Sequence, residues 1–241
     1  MNSTIERIQA DLKKLGVKKN DNLLVHSSLR SLGEVPGGAE TVIRGLLEAL
    51  GPGGTLLFPA LSYRDVNSDH PVFDVLNTPC CVGALLEYFR KRPGTKRSIH
   101  PTHSVSGVGR NAERLLGDHF KDTTSCGPHS PFYKLRELGG RILFIGCGIH
   151  PNTSMHAVEE LVEPVYLFAD PVDYRILLPD GSETQMRVRR HNFKGWAQAY
   201  ARLDGLMDSE HLRQGKVLEA DCRLMDVKDM WEKALAALRP E

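Results

Sequence analysis

The stretch Gly140-Arg141-Ile142-Leu143-Phe144-Ile145-Gly146-Cys147-Gly148, followed after three residues by Asn152-Thr153-Ser154-Met155-His156-Ala157-Val158-Glu159-Glu160, decides how the chain is read. Arg141 to Ile145 has the length and apolar content of a buried strand, the glycines let the chain turn sharply, and Asn152 or Thr153 can cap a following helix. Strand, loop and helix start follow one another. On that helix His156 stands three residues before Glu159 and four before Glu160, so an imidazole shares a face with at least one carboxylate. A carboxylate that holds one ring nitrogen fixes the tautomer and raises the basicity of the other nitrogen, which is how a histidine becomes a general base. The same spacing also describes an ordinary amphipathic helix start with a half-buried histidine and solvated acids. Spacing alone leaves both readings open.

The pattern recurs on either side. Ser3 or Thr4 can cap a first helix with Ile5, Ile8, Leu12 and Leu15 on one stripe, ended by Gly16. Residues 22–26 read as a strand followed by the polar turn 27–31, where α/β proteins place ligand loops. Pro36-Gly37-Gly38 opens a second helix, residues 55–59 form a strand, and 60–78 is a long polar loop carrying Asp65, Asp69 and Asp74. Helices are predicted over 83–92, 111–120 and 132–138. Beyond Pro164 the pattern changes: 172–178 and 183–190 flank Pro179-Asp180-Gly181-Ser182 as a β-hairpin. Helices over 193–206, 208–214 and 227–238 follow, with a strand over 216–224. The expected fold is α/β: a three-layer α/β/α arrangement with a mixed sheet, in one domain spanning 1–241 whose hairpin and C-terminal helices pack on the same core.

Composition removes several functions. The 241 residues are 41% hydrophobic and 25% charged, as in globular proteins. A net charge of +1 supplies no field to gather nucleic acid or an anionic membrane, so neither is an expected partner. The apolar runs fall far short of the roughly 20 residues a membrane helix needs. Five cysteines, an odd number with no Cys-x-x-Cys pair, and a polar start fit a reducing cytoplasm. Residues 96–106 concentrate two bases, two histidines and four hydroxyls. Zinc on His100, His103, His150 and His156 is a tempting reading of them. With no His-Glu-x-x-His or paired-cysteine frame, no metal is expected.

Taken in order, Val25-His26-Ser27-Ser28-Leu29, Gly37-Gly38-Ala39, Gly53-Gly54-Thr55, Arg97-Ser98-Ile99-His100-Pro101-Thr102-His103-Ser104, Ser130-Pro131, Leu138-Gly139-Gly140 and the stretch from Asn152 to Glu159 resemble the aminoglycoside 3-N-acetyltransferase family, especially its YokD-like branch. The resemblance runs from about residue 4 to 238. It implies an α/β/α fold distinct from the GNAT acetyltransferases, and transfer of acetyl from acetyl-CoA, as cosubstrate, to a small amine. It also implies that His156 is the base, oriented by Glu159, and that Ser27, Ser28, Leu29 and Ser31 contact CoA while the segment from His100 to Ser104 lines the same site. Thr102 and Ser104 are candidate donors to the thioester oxygen, and Arg30 a candidate charge for the CoA phosphates.

A polycationic acceptor calls for acids, for which Asp65 and Glu160 are the candidates. A different, non-antibiotic amine, a CoA-binding relative without turnover, and a hydrolase using Ser27 or Ser104 are the rivals. The hydrolase lacks a Gly-x-Ser-x-Gly elbow. A homodimer is left open.

Overall fold

The computed structural model describes residues 3–193 and 195–238; Lys194 and the two ends of the expected 1–241 domain lie outside them. In chain order the elements are α1 (Ser3–Leu15), β1 (Asn22–Ser27), α2 (Gly38–Leu50), β2 (Thr55–Pro59), β3 (Val72–Asp74), α3 (Ala84–Lys91), β4 (Lys96–Arg97), β5 (Val105–Gly109), α4 (Ala112–Leu116), α5 (Pro131–Glu137), β6 (Arg141–Ile145), α6 (Ser154–Val162), β7 (Phe168–Leu177), β8 (Glu183–His191), α7 (Leu203–Leu206), β9 (Leu212–Val217), β10 (Ala220–Asp226) and α8 (Val227–Leu238). Seven strands form the main sheet in the order β4-β5-β2-β1-β6-β10-β9. β1 runs parallel to β2 and β6, and the outer strands are antiparallel, so the sheet is mixed as expected.

Alternation along the central strands builds the layers. Leu24, Leu57, Ile142 and Phe144 enter a cluster with Leu115, Phe132, Leu135, Val158 and Trp231 of α4, α5, α6 and α8. Leu23, Val25, Leu56, Phe58, Leu143 and Ile145 enter another with Ile8, Leu12, Val42, Leu46 and Phe89 of α1, α2 and α3. Each such fully buried side chain stabilises the fold by about 1.5–3 kcal/mol relative to exposure.

Four expectations change. The loop 60–78 contains β3, which pairs with β7 in a second sheet, β3-β7-β8. The hairpin therefore buries Tyr174, Ile176, Met186 and Val188 against Val66, Phe73 and Val75 in a small apolar cluster of its own, apart from the two faces of the main sheet. The helix expected over 111–120 is broken into α4 and a 3₁₀ turn, His119–Lys121. The stretch read as one strand over 216–224 is the hairpin β9-β10, which turns at Leu218 with φ +51°. Its partner β9 also takes residues 212–214 of the helix expected over 208–214, and the rest of that span is turn and coil. A non-glycine residue in the left-handed region leaves no composition signal to announce the turn.

The parallel pair β1 and β6 sets the location of the site. His26 lies beside Phe144 and Ser27 beside Ile145, so the carboxyl ends of both strands open their loops at one edge, where ligands bind in open α/β sheets. Gly146 (φ +63°) makes that crossing feasible, because the Ser31 side chain occupies the space a Cβ would need.

Candidate active site

α6 carries the candidate histidine and both candidate acids. Its start is fixed by Asn152, fully buried, whose side chain accepts the Ser154 N–H (3.2 Å); Thr153 makes no side-chain cap. One turn along, His156 Nδ1 lies 3.2 Å from Glu159 Oε2 and 2.9 Å from the Tyr200 hydroxyl. Tyr200 donates to the same carboxylate oxygen at 2.6 Å. Glu159 is 3% exposed, so removing either donor would leave a desolvated charge short of a partner. Burial, with Glu159 alongside, pushes the Tyr200 hydroxyl far up, and it stays a proton donor. With Nδ1 occupied, His156 presents Nε2 to a cavity of about 590 Å³ at the edge of the sheet.

The next acid on α6 builds a second pair. Glu160 Oε1 meets His191 Nε2 at 2.7 Å and the Cys126 N–H at 2.8 Å, while Oε2 accepts from Thr124 at 2.6 Å. Burial raises Glu160 to about 7. Burial first, and the neighbouring His156 second, hold His191 well below the ordinary histidine value. His26, stacked on Phe144 at 5.2 Å, is lowered to about 3 by burial and then by His156. His103 is lowered in the same way, by burial and then by His191 and His156.

The structure brings together His156 and Glu159 as expected, and places Ser27 and His103 on the cavity wall beside them. The other expected positions lie off the cavity lining. Ser28, Leu29, Arg30 and Ser31 form a 3₁₀ turn behind the wall: Ser31 donates to the Ser28 carbonyl at 2.6 Å and Arg30 is exposed. His100 is buried against His119 at 4.7 Å, and its Nδ1 accepts the N–H groups of Thr102 (3.3 Å) and His103 (2.9 Å). Thr102 holds His103 Nδ1 at 2.9 Å. Ser104 donates to the Ala60 carbonyl and accepts from Arg97, both at 2.8 Å, so its hydroxyl has no free direction for a thioester oxygen. Asp65 is exposed and off the cavity lining, and Glu160 is held by His191, Thr124 and Cys126 behind that lining.

Sequence reasoning missed Tyr200, His191 and Phe193. His191 closes β8, just past the strand expected over 183–190, and Phe193 and Tyr200 lie where a helix was expected; Phe193 stacks on His156 at 5.0 Å. A histidine closing a strand, followed closely by aromatics, was the available signal. Of the histidines weighed for zinc, His150 lines the cavity and His100 does not, and the third imidazole beside His103 and His156 is His191. No helix among the described residues is long and apolar enough to cross a membrane.

The family model described as aminoglycoside 3-N-acetyltransferase matches residues 24–239. The chain belongs to the aminoglycoside 3-N-acetyltransferase family. Among its relatives, aminoglycoside N(3)-acetyltransferase VII of Streptomyces paromomycinus is 30% identical over 97% of this chain and 90% of its own length. The SPbeta prophage-derived aminoglycoside N(3')-acetyltransferase-like protein YokD of Bacillus subtilis is 27% identical over 94% of this chain and 89% of its own length. Solved members superpose closely. AAC-IIIb in its binary complex with CoASH has a TM-score of 0.84 at 26% identity, covering 97% of this chain and 95% of its own. A histidine-to-alanine mutant of AAC(3)-IVa in complex with a gentamicin has 0.82 at 32% identity, covering 97% and 87%.

Proposed function

We propose that the chain transfers an acetyl group from acetyl-CoA to the 3-amino group of an aminoglycoside, with His156 as general base and Glu159 and Tyr200 fixing its ring. The observation that carries this reading is the clamp on Nδ1, which leaves Nε2 bare toward the cavity. The amine lone pair attacks the thioester carbon and the C–N bond forms while His156 Nε2 takes the nitrogen's proton. The C–S bond then breaks, and the imidazolium returns that proton to the departing thiolate. An aliphatic ammonium has no lone pair, so a positioned base contributes about 10²–10⁴ in rate. The apolar wall of Pro59, Leu61, Val82 and Leu86 suits the uncharged arm of CoA. Relatives named for aminoglycoside acetylation and a structural neighbour holding CoASH support the substrates. No step in this reaction uses a metal. We place it in the cytoplasm, where its five free cysteines stay reduced.

One observation favours a second acceptor class: no carboxylate lines the cavity among the described residues, whereas Arg190 does, its buried Nε without a partner. A less cationic amine would meet that wall at a lower desolvation cost. Incubating the protein with acetyl-CoA and a panel of aminoglycosides, simple diamines and amino acids separates the two. Thiol release with aminoglycosides, and a product acetylated at the 3-amino group, supports the first. Thiol release only with amino acids replaces it.

A further inference from the structure

His103, from the turn before β5, His156, on α6, and His191, at the end of β8, converge so that one nitrogen of each lies within 4.8 Å of the others. Their ring centroids are 4.9–5.9 Å apart. In each ring one nitrogen is already held: His103 Nδ1 by Thr102, His156 Nδ1 by Glu159 and Tyr200, and His191 Nε2 by Glu160. The remaining atoms are Nε2 of His103, Nε2 of His156 and Nδ1 of His191, the last buried without a partner. A hydroxyl or carboxylate behind every imidazole is the support that orients histidine ligands around a metal. Three imidazoles beside an open cavity match the donor set of zinc with a fourth position left to solvent.

We infer that these three histidines bind one borderline divalent cation, Zn²⁺ foremost, and that the bound cation stops acetyl transfer by occupying the His156 lone pair. Tetrahedral zinc with bonds of about 2.0 Å needs ligand atoms about 3.3 Å apart, which side-chain rotation from the present separation supplies. Imidazole selects zinc, copper or nickel over magnesium or calcium, which prefer oxygen. Binding of the cation does not depend on the acetyl-transfer reading; its inhibitory consequence does.

The test titrates the metal-stripped full chain with CoCl₂, then displaces cobalt with ZnCl₂, without acetyl-CoA. One equivalent of Co²⁺ is expected to give the intense visible bands of a tetrahedral site, with no thiolate charge-transfer band despite the nearby Cys147. Zn²⁺ affinity is expected to fall by at least about 100-fold in both His103→Asn and His191→Gln, a larger loss than removing an outer-shell partner gives. In a separate assay, Zn²⁺ inhibits wild-type turnover and a chelator restores it. A wild-type protein without the tetrahedral spectrum overturns the site whatever the variants do, and so does Zn²⁺ affinity within twofold of wild type in both variants. Failure of acetyl transfer with every amine removes the function and leaves the spectrum to decide the site.

Discussion

Two adjacent glutamates on α6 build two different devices. Glu159 and His156 meet at 3.2 Å with Tyr200 on the same oxygen, and the free imidazole nitrogen faces the cavity. Glu160 and His191 meet at 2.7 Å, but Glu160 also ties down Thr124 and the Cys126 backbone, and burial raises it to about 7. Consecutive helical residues point about 100° apart, so one carboxylate holds the imidazole that lines the cavity and the other anchors the loop 124–126 to α6 and β8. An imidazole–carboxylate pair is thus no sufficient sign of a base. What the carboxylate otherwise holds, and where the free nitrogen points, separate the two.

The comparison breaks first at His156. His156→Ala is expected to lower kcat by about 10²–10⁴ and to lower Tm modestly, because it takes one donor from the buried Glu159; thiol release and thermal denaturation measure the two. A loss under about tenfold would put the base elsewhere.

Acid stability sharpens the contrast between buried histidines and buried acids. His26 and His119 are lowered to about 3 by burial, and His100, His103 and His191 also lie well below the ordinary value of about 6.5. On unfolding these rings take up protons that the folded state refuses. Their contribution is therefore present above about pH 6.5 and lost as pH falls toward the folded values, at up to about 1.4 kcal/mol per pH unit for each ring. Glu160, raised to about 7, and Asp122, raised to about 6, act in the opposite sense, because the folded state holds their protons longer. The five histidines outweigh the two acids, so Tm is expected to fall steeply between pH 6.5 and 5. A flat profile there would mean that the rings are not buried neutral.

Exchanging the acids tests the division of labour directly. Glu159→Gln is expected to cost about 10–100-fold in kcat, whereas Glu160→Gln costs less than about fivefold; equal losses would erase the distinction. Tyr200→Phe removes one donor from the buried Glu159 and is expected to lower kcat about tenfold, close to the lower end of the about 1.5–3 kcal/mol of a hydrogen bond to a charged group. Asp65→Asn sits at the bottom of the scale, with KM within twofold of wild type, since Asp65 is exposed and outside the cavity.

Legibility divided along physical lines. The central strands and the dyad of His156 and Glu159 were readable because periodicity and i,i+3 spacing are local properties that tertiary packing left in place. The wall opposite was not. Residues 193–206 carry good helix formers, yet among the described residues there only a 3₁₀ turn, Tyr200–Arg202, and α7 are helical. The preceding backbone instead lays Phe193 on His156, Trp196 on Tyr166 at 4.6 Å and Tyr200 on Glu159. Aromatic stacking and the hydrogen bond to Glu159 outweighed a few tenths of a kcal/mol per residue of propensity. Ser104, Thr102 and His100 read as ligand contacts because polar residues cluster there. Ser104 and His100 spend those groups on backbone, and Thr102 spends its hydroxyl on His103, connections that no spacing rule encodes.

The account turns on which nitrogen of His156 carries the hydrogen when the ring is neutral, and ¹⁵N-detected imidazole NMR of the labelled protein reads that directly. The Glu159 and Tyr200 clamp predicts the Nδ1–H tautomer with a bare Nε2, shifting to a mixture in Glu159→Gln. A neutral ring carrying its hydrogen on Nε2 would contradict it, because the atom facing the cavity would then have no lone pair to take a proton from the amine.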